Sequence, residues 1–111
     1  MDSDLFEILG EPTRRRIVAE LRSGEQAVGD LVDRVDIAQS GVSRHLRILN
    51  EAGFVQVRAD GQRRLYSLRP EPFQAIDRWI DDYRQLWEDR LDRMGKALEQ
   101  RRQTGRRTET A

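Results

Sequence analysis

The sequence predicts a mainly α-helical domain with one small β-hairpin, and three observations carry that prediction. Between Gln39 and Gly53, the apolar residues Val42, Leu46 and Leu49 recur three and four apart on one helical stripe, with Ile48 and Ala52 beside them. Two β-prone runs, 54–58 and 64–68, flank a turn that contains Asp60-Gly61. From Phe73 to Leu98 the apolar positions 73, 76, 80, 83, 87, 91, 94 and 98 step by three or four, with one four-residue stutter near Trp87.

In chain order, residues 3–10 form a short helix closed by Gly10, whose Leu5, Phe6, Ile8 and Leu9 need a partner surface. Pro12 suits the first turn of a second helix that buries Ile17, Val18 and Leu21 and ends near Ser23-Gly24. Arg14, Arg15 and Arg16 lie early in it and read as a solvated face, with Arg16 and Glu20 at ion-pair spacing. Residues 26–35 read as a third helix with Leu31, Val32 and Val35 inward, and Asp36-Ile37-Ala38 breaks the periodicity before the helix over 39–52. Helix, tight turn and helix make the helix-turn-helix plan. The hairpin over 54–68 follows directly and would act as a wing with a basic tip. The expected architecture is therefore a winged helix-turn-helix of about five helices plus a two-stranded wing.

Pro70 and Pro72 stop the second strand and open the last helix, whose seam is widened by Trp79 and Leu86. About 26 residues of amphipathic helix extend on the order of 40 Å, more than so small a domain can cover, so a partner helix is implied, most simply from a second copy. From Arg101 onward nothing is apolar except Ala111. The expected division is a winged helix-turn-helix and dimerisation domain over 1–99 and a disordered tail over 100–111.

Composition narrows the function. Only 37% of the 111 residues are hydrophobic and 36% are charged, leaving little with which a monomer can fill a core. Twenty basic and twenty acidic side chains cancel, which argues against a protein that coats nucleic acid by bulk charge. The distribution is uneven: residues 39–69 hold six Arg against Glu51 and Asp60, whereas residues 71–100 hold eight acids against five bases. Nineteen of the twenty basic residues are Arg, so an individual Arg carries less weight as a phosphate or guanine ligand. The absence of Cys excludes disulfides and thiolate metal sites. With a single His and no phosphate-cradling glycine loop, no nucleophile–base set can be assembled, and no enzyme is expected. No apolar run approaches the roughly 20 residues of a membrane span and the acidic N-terminus lacks a signal peptide, so the expected address is the cytoplasm, away from membranes.

The helix over 39–52 carries small hydroxyl residues and then Arg where a purely structural helix would not place them. About 21 Å long, with a small polar N-terminal end, it fits a DNA major groove roughly 12 Å wide. On that reading Gln39 and Ser40 lie near phosphates or base edges, and Ser43, Arg44 and Arg47 face the groove. Arg58, Arg63 and Arg64 hold backbone or minor groove from the wing. Tyr66 reads as core with its hydroxyl at the surface.

Four motifs in order and spacing complete the picture: Gly10-Glu11-Pro12-Thr13-Arg14-Arg15, Ser40-Gly41-Val42-Ser43-Arg44-His45-Leu46, Leu49-Asn50-Glu51-Ala52-Gly53, and Arg63-Arg64-Leu65-Tyr66-Ser67-Leu68. Over residues 4–98 the chain resembles the ArsR (arsenical-resistance repressor) family of bacterial winged-helix transcription factors. The resemblance implies a homodimer joined through its first and last helices, bound to a two-fold symmetric double-stranded operator and usually repressing. It adds His45 to the DNA contacts, and it places Leu5, Phe6, Leu9, Ile76, Trp79, Ile80, Tyr83, Trp87 and Leu91 at the dimer interface. Metal sensors of the family carry a Cys-x-Cys pair before the recognition helix, or Asp and His ligands on the last helix. Here 27–31 has no Cys and the last helix no His, while carboxylates such as Asp77 and Asp81 read as a solvated face, so no metal or other cofactor is expected. The inducing signal is not legible. The competing reading is a winged-helix module for protein–protein association, which would show no salt-dependent duplex binding.

Overall fold

The computed structural model describes the backbone of residues 2–110 and the side chains of residues 5–90 and 93–102. The helices α1 (Asp2–Gly10) and α2 (Pro12–Glu20) are followed by a 3₁₀ turn (Leu21–Ser23), the short strand β1 (Gln26–Ala27) and α3 (Val28–Val35). Then come α4 (Gln39–Glu51), β2 (Val55–Asp60), β3 (Arg63–Leu68), α5 (Glu71–Asp81) and α6 (Gln85–Thr110). Contacts divide the chain into two units, Met1–Ile76 and Asp77–Ala111.

In the first unit a single core forms from Ile17, Leu21, Leu31, Val35, Val42, Leu46, Leu49, Phe54 and Val55. The α4 stripe read from the sequence supplies three of these, Val42, Leu46 and Leu49, each 0% exposed. Leu5, Ile8, Leu9, Val18, Val32, Tyr66, Phe73 and Ile76 close over the core, with Phe73 edge-on to Phe54 at 5.7 Å between centroids. Glu11 begins α2 by accepting the Thr13 N–H at 3.0 Å, and Pro12 occupies the first turn, where its missing N–H costs nothing. Asp36 ends α3 in the left-handed region, with φ 56°, and turns the chain into α4. At the crossing, Gly41 admits the Ile37 side chain, whose Cγ2 would lie only 3.0 Å from an added Cβ.

Three expectations are corrected. The wing is not two-stranded: Gln26 and Ala27, expected to open the third helix, pair antiparallel with Tyr66 and Leu65, giving a sheet of order β1-β3-β2. The hairpin loop is Gly61-Gln62, with Asp60 paired to Arg63 and Gly61 at φ 63°, so glycine sits at the first central position, where a left-handed turn residue is needed. Glu20 pairs with Arg34 at 3.6 Å rather than with its helix neighbour Arg16.

In the second unit the expected single last helix is two. Tyr83, Arg84 and Leu86 donate their N–H to carbonyls three residues back, a tighter turn that separates α5 from α6. Asp81-Asp82 falls at this point, and carboxylates at a helix C-terminus oppose the helix dipole. Arg84 offsets Asp81, with Nε 3.1 Å from it, and also reaches Asp77, with Nη2 3.3 Å away. The helix α6 then runs through residues 100–110, where the composition predicts disorder. Arg and Gln are good helix formers, and extending an existing helix avoids the cost of nucleation. Ala111 lies outside the described residues. Among the described residues no helix is long and apolar enough to cross a membrane.

Candidate nucleic-acid interface

Burial of Val42, Leu46 and Leu49 turns the opposite stripe of α4 outward. Ser40, Ser43, Arg47 and Asn50 occupy that stripe at steps of three, four and three, with Arg44 alongside. They form one wall of an open cleft of ≈ 580 Å³ that Val28 and the wing residues Val57, Arg64 and Tyr66 complete. Val57 and Tyr66 face each other across the β2–β3 ladder, and Arg64 lies two residues before Tyr66, on the same face of the strand. No carboxylate lines the cleft. Among the described residues Arg44, Arg47 and Arg64 form no ion pair, so three guanidinium groups face one open space without a counter-charge.

The other sequence-predicted contacts lie elsewhere. Gln39 is exposed as the first residue of α4, outside the cleft lining. His45 faces α2: its Nδ1 is 3.4 Å from Arg14 Nη1. A guanidinium only donates, so Nδ1 accepts and the ring proton sits on Nε2. Burial, then the nearby Arg14 charge, holds the imidazole pKa below its ordinary value, keeping it neutral. Arg14 also donates from Nε to the Ile8 carbonyl at 2.7 Å, and Arg15 donates to the Leu9 carbonyl at 2.6 Å. The end of α1 is thereby tied to α4 through Arg14 and His45.

Arg58 and Arg63 lie on the opposite face of the hairpin from Arg64 and Tyr66, as strand alternation and the Arg58↔Leu65 and Asp60↔Arg63 register require. Both are engaged. Arg58 donates to Glu25, with Nε 2.9 Å from Oε2, and those hydrogen bonds hold the Glu25 carboxyl below its usual range. Arg63 Nη2 is 3.4 Å from Asp60. Of the contacts expected from the sequence, Ser40, Ser43, Arg44, Arg47 and Arg64 come together in the cleft, and the sequence does not tell which wing arginine faces it. Sequence reasoning also missed Asn50, Val28, Val57 and Tyr66 as lining. The spacing of Asn50, seven residues after Ser43, is a readable signal; Val57 and Tyr66 depend on how the hairpin folds over α4, and Val28 on where α3 begins beside it.

The predicted dimer-interface residues divide. In the first unit Leu5, Leu9 and Ile76 pack against the core, and Phe6 is 38% exposed. In the second unit the Trp79 and Tyr83 rings lie tilted against each other at 4.8 Å between centroids, both more than a third exposed, and Ile80 is half-buried. Leu86, Trp87, Met94 and Leu98 are exposed along α6. The Leu91 side chain lies outside the described residues. Among the described residues no group of three or more His, Asp or Glu is arranged to hold a metal ion.

Known proteins similar to this chain are transcriptional regulators. A family model described as "Bacterial regulatory protein, arsR family" matches residues 11–57, the span from the α2 cap through α4 to β2. The chain is 31% identical over 78 residues to the transcriptional repressor SdpR of Bacillus subtilis, covering 70% of this chain and 87% of that protein. It is 36% identical over 78 residues to the HTH-type transcriptional regulator Rv2034 of Mycobacterium tuberculosis, covering 70% and 73%. Among solved structures, a possible transcriptional regulator for arsenical resistance superposes with a TM-score of 0.66 at 43% identity, covering 82% of this chain and 92% of that one. These relatives are regulators rather than enzymes. With fold and relatives in agreement, the chain belongs to the ArsR family and is a winged helix-turn-helix DNA-binding transcriptional regulator.

Proposed function

We propose that the protein is a homodimeric repressor that seats α4 of each protomer in the major groove of a two-fold symmetric operator, with the wing held against the neighbouring backbone. The observation that carries this reading is the acid-free cleft between α4 and the wing, into which Arg44, Arg47 and Arg64 bring charge without an internal partner. Uncompensated guanidinium groups repel one another, and a polyanion relieves that repulsion while releasing its own counterions. Gln39, Ser40 and Ser43 at the N-terminal end of α4 approach phosphates and base edges, and Arg44 or Arg47 bonds guanine. Arg58 and Arg63 must exchange a carboxylate for a phosphate before they contribute, and His45 acts through Arg14 by orienting α4. The exposed Leu86, Trp87, Met94 and Leu98 along α6 support burial against a second copy. Acting on DNA, such a protein works in the cytoplasm.

The test is fluorescence anisotropy of the protein against promoter DNA upstream of its own gene, beside a scrambled duplex, at two salt concentrations. Preferential, salt-sensitive binding at two chains per site is expected. Arg44→Ala should abolish the preference while the variant stays folded and dimeric; retained operator affinity in that variant would refute the assignment of the reading face.

A further inference from the structure

The sequence motifs leave no role for Asn50 or for the hydroxyl of Tyr66, and the cleft brings both to the junction between α4 and the wing. We infer that Asn50 and Tyr66 are neutral phosphate-positioning residues that hold one sugar–phosphate strand in the cleft, an assignment that rests on the DNA-binding reading above. The occupant follows from duplex geometry. A recognition helix in the major groove and a hairpin beside the adjacent minor groove are separated by the ridge that divides those grooves, which is one sugar–phosphate strand. The space between α4 and the β2–β3 face is therefore where that strand runs.

The lining matches such a strand. Every polar residue in it, Ser40, Ser43, Arg44, Arg47, Asn50, Arg64 and Tyr66, offers a hydrogen-bond donor, and none is a carboxylate. Val28 and Val57 add apolar surface suited to a deoxyribose face. Among the described residues neither the Asn50 amide nor the Tyr66 hydroxyl has a hydrogen-bond partner within the chain, so both donors are available. The two approach from opposite walls, Asn50 from the last turn of α4 and Tyr66 from the middle of β3. A phosphate between them is gripped from helix and wing together, fixing the wing's angle to the recognition helix. Base reading is left to the N-terminal half of α4.

Neutral donors to a phosphate have a distinct signature. They release no counterion when they bind, and they are blind to sequence. The experiment selects the preferred duplex from a random library with the wild-type chain, then measures Tyr66→Phe and Asn50→Ala by anisotropy on that duplex and on single-base-pair variants across a salt series. Circular dichroism establishes folding; Tyr66→Phe keeps the ring. Each variant is expected to weaken binding about tenfold, by the same factor on every duplex, with the slope of log affinity against log salt unchanged. Methylphosphonate scanning supplies an independent readout: one neutralised phosphate per half-site should erase the difference between wild type and Tyr66→Phe. Losses that differ between base pairs, or unchanged affinity in both variants, overturn the assignment while leaving the regulator reading intact. A wild-type chain that selects no sequence and shows no salt-sensitive duplex binding overturns the regulator reading and this assignment with it.

Discussion

Arg64 and Arg58 stand on the two faces of one hairpin, and the difference between them predicts different electrostatics of binding. Arg64 lines the cleft without a counter-charge, whereas Arg58 is held by two-pronged hydrogen bonding to Glu25. Each phosphate neutralised contributes about 0.9 to the slope of log affinity against log salt. If Arg44, Arg47 and Arg64 each neutralise one phosphate, a dimer makes six such contacts and the slope is about −5.4, a loss of roughly 2,000-fold between 50 and 200 mM salt. Arg64→Ala removes two contacts per dimer, so the slope becomes about −3.6 and the loss over the same range falls to roughly 150-fold. The change in slope of about 1.8 rests on Arg64 alone, whatever Arg44 and Arg47 contact. Arg58→Ala should leave the slope at its wild-type value, because Glu25 already neutralises that guanidinium. Anisotropy titrations at four or five salt concentrations on one operator duplex measure all three proteins directly. Equal slopes for wild type and Arg64→Ala, or an Arg58→Ala slope shifted as far as that of Arg64→Ala, would refute the division of the wing into a DNA face and an ion-paired face.

Other perturbations test the framework beneath the site. Phe54 is fully buried and edge-on to Phe73, so Phe54→Ala should cost about 3–5 kcal/mol by urea denaturation, a large share of a small domain's stability. A loss below about 1 kcal/mol would mean the core is not built around it. Because the folded pKa of His45 lies below its ordinary value of 6.5, the unfolded chain takes up that proton first. Stability should therefore be fully present above 6.5, decline as pH falls through 6.5 toward the folded pKa, and be flat below it; His45→Gln should remove this part of the pH dependence, and identical profiles for the two proteins would count against the burial of the imidazole beside Arg14. Leu98→Glu, on the exposed row of α6, should shift sedimentation from dimer to monomer without altering the helical signal of the winged domain; an unchanged dimer would place the interface elsewhere.

The sequence by itself determined which local elements form and which of their faces is apolar. Val42, Leu46 and Leu49 declared the buried side of α4, Asp36-Ile37-Ala38 its preceding turn, and Asp60-Gly61 the neighbourhood of the hairpin. These are short-range properties: three-residue and four-residue spacing, a proline at a first turn and a glycine at a positive φ are dictated by neighbours along the chain. Only the tertiary structure decided the rest. Gln26-Ala27 has no strand character of its own and becomes β1 because β3 presents an open edge to it. Asp81-Asp82 interrupts an apolar seam that reads as continuous, because a helix end weighs carboxylates and Arg84 against spacing. The wing arginines look alike in the sequence. Which of them is left with charge to offer depends on Glu25, 33 residues away from Arg58, and on the ladder register that turns Arg64 toward α4, and long-range pairing of that kind leaves no periodic trace in the chain.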